Sequence, residues 1–504
     1  MVCPSNPEIS AGSPTVFASP SVRAKRWISS SRRSKATSRS RTKDRMSEAQ
    51  ASPPRELWSS DRMFLLAVVG GAVGLGNIWR FPYIVGENGG GVFLLLYVLF
   101  VLLASLPLKM AEVAMGKGAR GSPVASLRGI AVSEGASPRW GLLGWMMIGS
   151  ALLVLTFYPV IGGWALKYVF VALFGGLDGL RAETAQSLFD SINANPLNVG
   201  AWHLLFSLIT IFFVARGIRG GLEKVFKVAV PGLVIILLLL VVHAARVGDM
   251  ARSLHFLFDF DFSKISLDMT LMALGQAFFS LGVGSGIFLN YASHAPPTVS
   301  VAKSMYLVGL VDTCISVLAG LAIFPFVFGF GLEPAAGPSL FFLTLPIAFG
   351  TMPMGNLVGA LFFLLIFLAA ISSSVGMLEC AISRFKEIYP GKTLRIAWLV
   401  GGLCWLLGIF SVLSFNVLKD VSPLGFIRLF EGKNFFQTFD FSLSNIVLPL
   451  NGLLLAVFVG WVVSKAKAAR YAGLSNRTLF SVWRFQLRFI VPAVLAVLII
   501  FGLL

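Results

Sequence analysis

Charge is scarce in this chain. Of 504 residues, 13% are Asp, Glu, Lys or Arg, against 56% that are hydrophobic. That balance excludes a soluble globular domain, because apolar runs of about 20 residues, long enough to cross a bilayer, recur through the sequence. Acid is scarcer than base, with 23 Asp and Glu against 41 Lys and Arg and a net charge of +18. The surplus lies in an N-terminal tail and in short loops between the apolar runs, so it gives no reason to invoke nucleic acid. Cysteine is nearly absent. Cys3, Cys314, Cys380 and Cys404 show neither metal-ligand spacing nor a paired framework, and no disulfide is expected. Histidine is equally rare, and His203, His243, His255 and His294 scatter toward span ends or loops. With no His-Glu, Ser-His or Cys-His constellation inside the apolar runs, the chain is not read as an enzyme.

Residues 1–54 are rich in Ser and Arg, with ten Lys or Arg and only Glu8 and Asp44 before Met46. They hold no apolar h-region, which excludes a cleaved secretory signal. A transit peptide, a basic tail touching anionic lipid, and a true start at Met46 all fit the composition. The expectation is a disordered basic tail without a transport role, since such a composition cannot bury a core.

Eleven spans are expected, at roughly 62–86, 90–116, 139–174, 199–216, 224–247, 267–293, 303–331, 354–387, 393–414, 438–465 and 480–504. The basic loops alternate. Lys117, Arg120, Arg128 and Arg139 lie between spans two and three, and Arg216, Arg219, Lys224 and Lys227 flank the loop from four to five. Lys386, Lys392 and Arg395 separate eight from nine, and Lys465, Lys467, Arg470 and Arg477 separate ten from eleven. Positive loops stay cytoplasmic, which places the N-terminus inside and the C-terminus outside. The loop from three to four, with Asp178, Glu183 and Asp190 against Arg181, suits the outside. A segment near 338–349 is too short to span and is expected to dip over the outer face as a helical hairpin.

Two spans are poor continuous helices. The first carries Gly70, Gly71, Gly74 and Gly76, followed by Asn77 and Arg80. Each glycine costs roughly 1 kcal/mol against Ala in a helix interior. Irregular backbone at membrane depth is tolerated only where protein buries it or it lines a wet cavity. A helix broken near the midplane is one reading; glycines that admit a neighbouring helix are the other. Asn77 and Arg80 favour a binding site, since polar groups within a span are functional by default. The sixth span repeats the pattern from Gly275 to Gly286, with Gln276, Ser280 and Ser285 among the glycines. Interrupted spans in matching positions of two halves point to the site of a secondary transporter. The expected fold is therefore an all-α polytopic membrane protein of about eleven transmembrane helices. It comprises two inverted five-helix repeats with helices one and six broken. Residues 1–54 are the tail, 55–250 the first repeat, 251–466 the second, and 467–504 a cytoplasmic loop and the last span.

At these residues the sequence resembles the neurotransmitter:sodium symporter family, and its bacterial branch in particular. The likeness runs from about residue 55 to 465. It is carried by Trp58, Gly70–Pro82, Glu87-Asn88-Gly89-Gly90-Gly91, Pro107–Gly116, Gln276–Tyr291 and Ser372-Ser373-Ser374. The resemblance implies two sodium sites. Site one would use the Ala72 carbonyl, the Asn77 side chain, Ser280 and Asp312. Site two would use the carbonyls of Gly70, Val73 and Ala369 and the hydroxyls of Ser372 and Ser373. Oxygen ligands from unwound backbone suit a hard cation. On the residues alone, the serine run also fits helix–helix hydrogen bonding, and Asp312 a structural anchor.

The implied substrate site is Ala72, Gly74, Leu75, Gly76, Tyr158, Phe279, Ser280, Gly282, Ser285 and Met377. A substrate carboxylate would take the amides of Leu75 and Gly76, at the positive end of a half-helix, and the Tyr158 hydroxyl. Its ammonium would take the carbonyls of Ala72, Phe279 and Ser280. Family members that carry monoamines have an aspartate at the position of Gly74, so glycine here implies an amino acid with its own carboxylate. The small Gly282 and Ser285 leave room for a large apolar or aromatic side chain. The implied gates are Phe279 and Tyr158 beneath an Arg80–Asp440 pair outside, and an Arg55–Glu387 pair with Trp58 inside. Either arginine also fits a plain interfacial anchor.

Ser316 falls where chloride-requiring members help bind a halide with a serine and some chloride-independent ones carry a carboxylate. Here the carboxylate is at Asp312, one turn earlier. A second anion beside it would be repelled, so no chloride is expected, and the same carboxylate can take a proton on the empty return. The leading expectation is sodium-coupled symport of an amino acid by alternating access. The protein would lie in the plasma (inner) membrane as a monomer or weak homodimer. The alternative is a membrane amino-acid sensor of the same fold that signals through its tail.

Overall fold

The computed structural model describes residues 56–334 and 340–502. The tail (1–54), Arg55, and Pro338 and Ser339 of the expected dipping segment therefore lie outside the described residues. Glu56–Leu504 forms one compact unit. Every regular element among the described residues is helical.

Nine helices there are long and apolar enough to cross a membrane: Gly91–Ala119, Pro138–Leu173, Pro196–Val214, Ile218–Val247, Val301–Gly329, Gly355–Ile388, Thr393–Leu413, Phe435–Val462 and Arg477–Gly502. A bent pair, Asp61–Ala72 with Gly76–Glu87, supplies the first span, with 47° between its halves. The sixth expected span falls short as a single helix because it consists of Leu267–Ser280 and Ile287–Ser293 with six residues of other backbone between them. The expected boundaries hold to within a few residues, except that the fifth span begins earlier, at Ile218, in a wide i→i+5 turn. A short helix, Thr344–Thr351, occupies part of the segment expected to dip over one face.

Burial separates centre from edge. Of the most apolar stretch of Gly355–Ile388, 78% is buried, against 17% for Arg477–Gly502. The eighth span is thus the central post, and the last span is an outer staff whose Phe485, Phe489 and Ile500 stay exposed. Such exposure suits a surface that faces lipid rather than water. The third span is interrupted as well. Its helices Gly141–Val154 and Tyr158–Leu173 are separated at Leu155–Phe157, just before Pro159, which has no amide to continue the ladder. Tyr158 therefore opens a new helix, facing the first break.

Candidate functional site

The two breaks are built differently. Helix Asp61–Ala72 ends where Val73 turns extended (φ −72°, ψ 100°), and the chain resumes at Gly76. A Cβ on Gly70 would come within 2.7 Å of Phe226 and Val230, and one on Gly71 within 3.0 Å of Tyr291. At Gly74 it would come within 2.5 Å of Ser373 Oγ, and at Gly76 within 3.1 Å of Phe279. These glycines admit spans five, six and eight, and they also flank the break, so the two readings of the motif hold together. In the sixth span the break spans 281–286. Gly282, Gly284 and Gly286 have φ of +59°, +81° and +77°, left-handed conformations that residues with a Cβ rarely adopt.

Between the breaks lies a cavity of about 70 Å³, counted where the centre of a water-sized sphere fits. Ala72, Gly74, Leu75, Gly76, Tyr158, Phe279, Ser280, Gly282, Ser285 and Met377 all line it. Ala151, Val154, Phe157, Ile287, Leu443 and Leu448 add apolar lining that sequence reasoning missed, because they come from spans three, six and ten. The Tyr158 hydroxyl accepts the Leu75 amide at 3.4 Å, a long contact at the start of the second half-helix. Space beside Gly282 is partly taken, since a Cβ there would meet the Phe288 ring at 3.4 Å.

Asn77, Ser280 and Asp312 converge on one side of the cavity. Ser280 Oγ donates to Asp312 Oδ2 at 2.9 Å, while the other carboxylate oxygen, Oδ1, is buried and meets no hydrogen-bond geometry among the described residues, with the Asn77 side chain as its polar neighbour. Asn77 Nδ2 donates to Ser316 Oγ at 2.9 Å and to the Asp312 carbonyl at 3.3 Å. Tyr97 was missed. Its hydroxyl lies 2.9 Å from Ser280 Oγ, 3.3 Å from Asp312 Oδ2 and 3.4 Å from Ser316 Oγ, which makes it the hub of the cluster. The available signal was a single tyrosine in the apolar run Val92–Phe100. Gln276, also missed as a site residue, donates to the Gly76 carbonyl at 2.8 Å and ties the two breaks together. A buried carboxylate among hydroxyl, amide and carbonyl oxygens is a donor set suited to a small hard cation.

The serine run divides by face. Ser372 Oγ donates to the Ala369 carbonyl at 3.0 Å, and Ser373 Oγ lies beside Gly74 at the first break. Ser374 turns away, with its hydroxyl 3.0 Å from Thr210 Oγ1 in the fourth span. Helix–helix bonding therefore describes Ser374, and Ser373 is also a hydrogen-bonding neighbour of Tyr158 in the third span.

At the proposed outer gate, no ion pair of 4.0 Å or less joins Arg80 to Asp440 among the described residues. Instead the Arg80 guanidinium sits 4.2 Å from the centroid of the Phe279 ring, capping the cavity wall. Asp440 Oδ1 takes the Ser444 hydroxyl at 3.4 Å and remains an electrostatic neighbour of Arg80. On the other side, Trp58 is fully buried, with its Nε1 on the Tyr291 carbonyl at 2.9 Å and its amide on the His294 carbonyl at 3.0 Å. The described partners of Glu387 are the Ser122 amide and hydroxyl, both at 2.6 Å, and Arg384 at 3.0 Å. Glu387 thus secures the start of helix Pro123–Ser133. His294 Nδ1 lies 2.6 Å from the Glu56 carbonyl, a backbone tie beside the same gate.

A family profile described as "Sodium:neurotransmitter symporter family" matches residues 55–180 and 182–504. An uncharacterized sodium-dependent transporter YhdH of Bacillus subtilis (strain 168) is 36% identical over 447 residues, 88% of this chain and 96% of the relative. The sodium- and chloride-dependent taurine transporter of Homo sapiens is 27% identical over 469 residues, 82% of this chain and 73% of the relative. Among solved structures, MhsT in complex with L-phenylalanine superposes with a TM-score of 0.81 at 36% identity, covering 90% of this chain and all of that one.

Proposed function

The chain belongs to the sodium:neurotransmitter symporter family and is a sodium-dependent integral membrane transporter rather than an enzyme, and from that premise we propose that it carries an amino acid with a large apolar or aromatic side chain together with sodium. One observation carries the reading. The lining of the cavity combines Leu75, Gly76 and Tyr158, where a hydroxyl meets backbone amide, with the apolar side chains of Ala151, Val154, Ile287 and Leu448. A zwitterionic head fits the first and an apolar side chain the second. A Cβ at Gly74 would come within 2.5 Å of Ser373 Oγ, and glycine there leaves room for a substrate's own carboxylate. The likeness to MhsT, solved with L-phenylalanine, supports the same class.

Two sodium ions would be held as the residues above suggest, one by Ala72, Asn77, Ser280 and Asp312, the other by Gly70, Val73, Ala369, Ser372 and Ser373. Sodium bound there stabilises the state that accepts substrate, and coupling arises from that differential binding. The two repeats, residues 55–250 and 251–466, rock around the site, with the N-terminus cytoplasmic and residues 467–504 forming a loop and the last span. Arg80 and Asp440 close over Phe279 from one side, and Trp58 with Glu387 from the other.

Transport needs no chloride on this reading, because Asp312 supplies the negative charge at the ions. At an effective dielectric near 20, two unit charges about 4 Å apart cost about 4 kcal/mol, enough to keep a halide from settling beside the carboxylate. The test is vesicle uptake of phenylalanine and other amino acids at fixed sodium, in gluconate against chloride, for the wild type and Asp312→Asn. Uptake by the wild type in gluconate is expected to equal that in chloride, and the variant is expected to fail or to gain a chloride requirement. A wild type that needs chloride, or a variant indifferent to the change, overturns the assignment.

A further inference from the structure

Lys109 and Glu112, one helical turn apart in the second span, reach the break in the sixth span from the same helix. Both side chains are fully buried. Lys109 Nζ donates to the Leu281 carbonyl at 2.9 Å and lies 3.5 Å from the centroid of the Phe288 ring. Both contacts suit an ammonium. Glu112 accepts the amides of Gly284 at 3.2 Å and Leu289 at 3.4 Å. The ammonium therefore holds the chain where the first half-helix ends, at its negative pole, and the carboxylate holds it within the break and just beyond it.

Leu281 follows Ser280, whose hydroxyl is on Asp312 Oδ2 at 2.9 Å. Consecutive residues of the sixth span thus hold the Asp312 carboxylate and the Lys109 ammonium, and the two charges act on each other. A buried carboxylate without a counter-charge is costly, so a cation nearby stabilises the ion-free site. When sodium arrives, the same cation repels it. Both effects move the equilibrium toward release.

We propose that Lys109 is a positioning residue whose ammonium, held on the Leu281 carbonyl, weakens the hold of Asp312 on sodium and keeps the break in the sixth span aligned on the empty ion site. The proposal rests on reading Asp312 as a sodium ligand. Without Lys109, sodium would be held more tightly and let go more slowly.

The test is sodium-dependent thermal stability of the purified protein, with sodium-dependent uptake into vesicles, for the wild type, Lys109→Met, Lys109→Gln and Lys109→Arg. Half-saturating sodium is expected to be about tenfold lower in the Met and Gln variants, the size set by a charge pair in a medium of intermediate dielectric. Maximal uptake should fall in both, and Lys109→Arg should return half-saturation to the wild-type value. Half-saturation that is unchanged or raised in the uncharged variants overturns the proposal. So does a shift in Lys109→Arg as large as in Lys109→Met. Loss of the folded protein in both uncharged variants, with Lys109→Arg at wild-type levels, assigns Lys109 to folding alone and also overturns it. Asp312→Asn tests the underlying reading separately. If that variant keeps wild-type half-saturation, the reading of Asp312 fails. If it loses its sodium response while the Lys109 variants leave half-saturation unmoved, only the role of Lys109 fails.

Discussion

The first and sixth spans are both broken, yet by different means. In the first, none of Gly70, Gly71, Gly74 and Gly76 has a positive φ, and each is small because a neighbouring helix comes close. In the sixth, Gly282, Gly284 and Gly286 are left-handed, and charged side chains from the second span hold both sides of the gap. Sterics shape one break; backbone conformation and charge shape the other. The first break faces the neutral hydroxyl of Ser373 at Gly74, and Ser280, just before the sixth-span break, holds the carboxylate of Asp312. The lesson is that two similar glycine patterns can carry unlike physics, and substitutions can tell them apart.

The largest expected effect is at Gly284. Alanine there must hold a left-handed backbone, at about 1–2 kcal/mol. Its Cβ would also come within 2.9 Å of the Leu448 carbonyl. Together with overpacking of about 1–3 kcal/mol, Gly284→Ala should lower the melting temperature sharply and abolish uptake. Gly275→Ala is the control within the same span. Its Cβ would meet only Leu498, at 3.8 Å, so it should be neutral or gain up to about 1 kcal/mol. Equal behaviour of the two variants would erase the contrast drawn above.

Next in size is the neutral side of the site. Ser372→Ala combined with Ser373→Ala should remove one site's share of sodium-dependent stabilisation, about 2.7 kcal/mol at sodium 100-fold above its dissociation constant. Wild-type sodium affinity in the double variant would show that the first break does not hold an ion with these hydroxyls.

Tyr158→Phe should cost somewhat less. It removes one hydroxyl beside the Leu75 amide, worth roughly 1.5–3 kcal/mol when the partner is charged. Affinity for the best substrate should fall by about tenfold or more, with sodium binding left in place. Unchanged substrate affinity would sink the proposed pose at the first break.

The smallest effect is expected far from both breaks, where Lys467 Nζ pairs with Glu134 Oε1 at 2.6 Å. The Lys467 hydrogen bond holds the Glu134 carboxyl below its ordinary range. A depressed carboxyl contributes stability above its unfolded-state value and loses it as the pH falls through its folded-state value. Lys467→Met should therefore cost below about 1 kcal/mol at neutral pH and nothing once the medium is acid enough to protonate Glu134. A thermal-melt series against pH reads this directly, and a penalty that grows on acidification would contradict it.

What the amino-acid sequence determined by itself was whatever is periodic or local. Long apolar runs mark helices that lipid must satisfy, so ten of the expected spans were legible from length and hydropathy alone. Glycine clusters marked both breaks, because a helix interior disfavours that residue wherever it sits. The residues named for the cavity were legible only through the family likeness of their motifs. The tertiary structure alone decided the rest. It placed the Tyr97 hydroxyl at the centre of the Asp312 cluster, 215 positions from that residue in sequence. It turned Ser374 toward Thr210 and away from its two neighbours, set Arg80 on Phe279 rather than on Asp440, and brought Lys109 to Leu281. These are contacts between helices. Their geometry depends on how ridges and small residues let whole spans approach, and no local pattern of hydropathy or propensity encodes that approach.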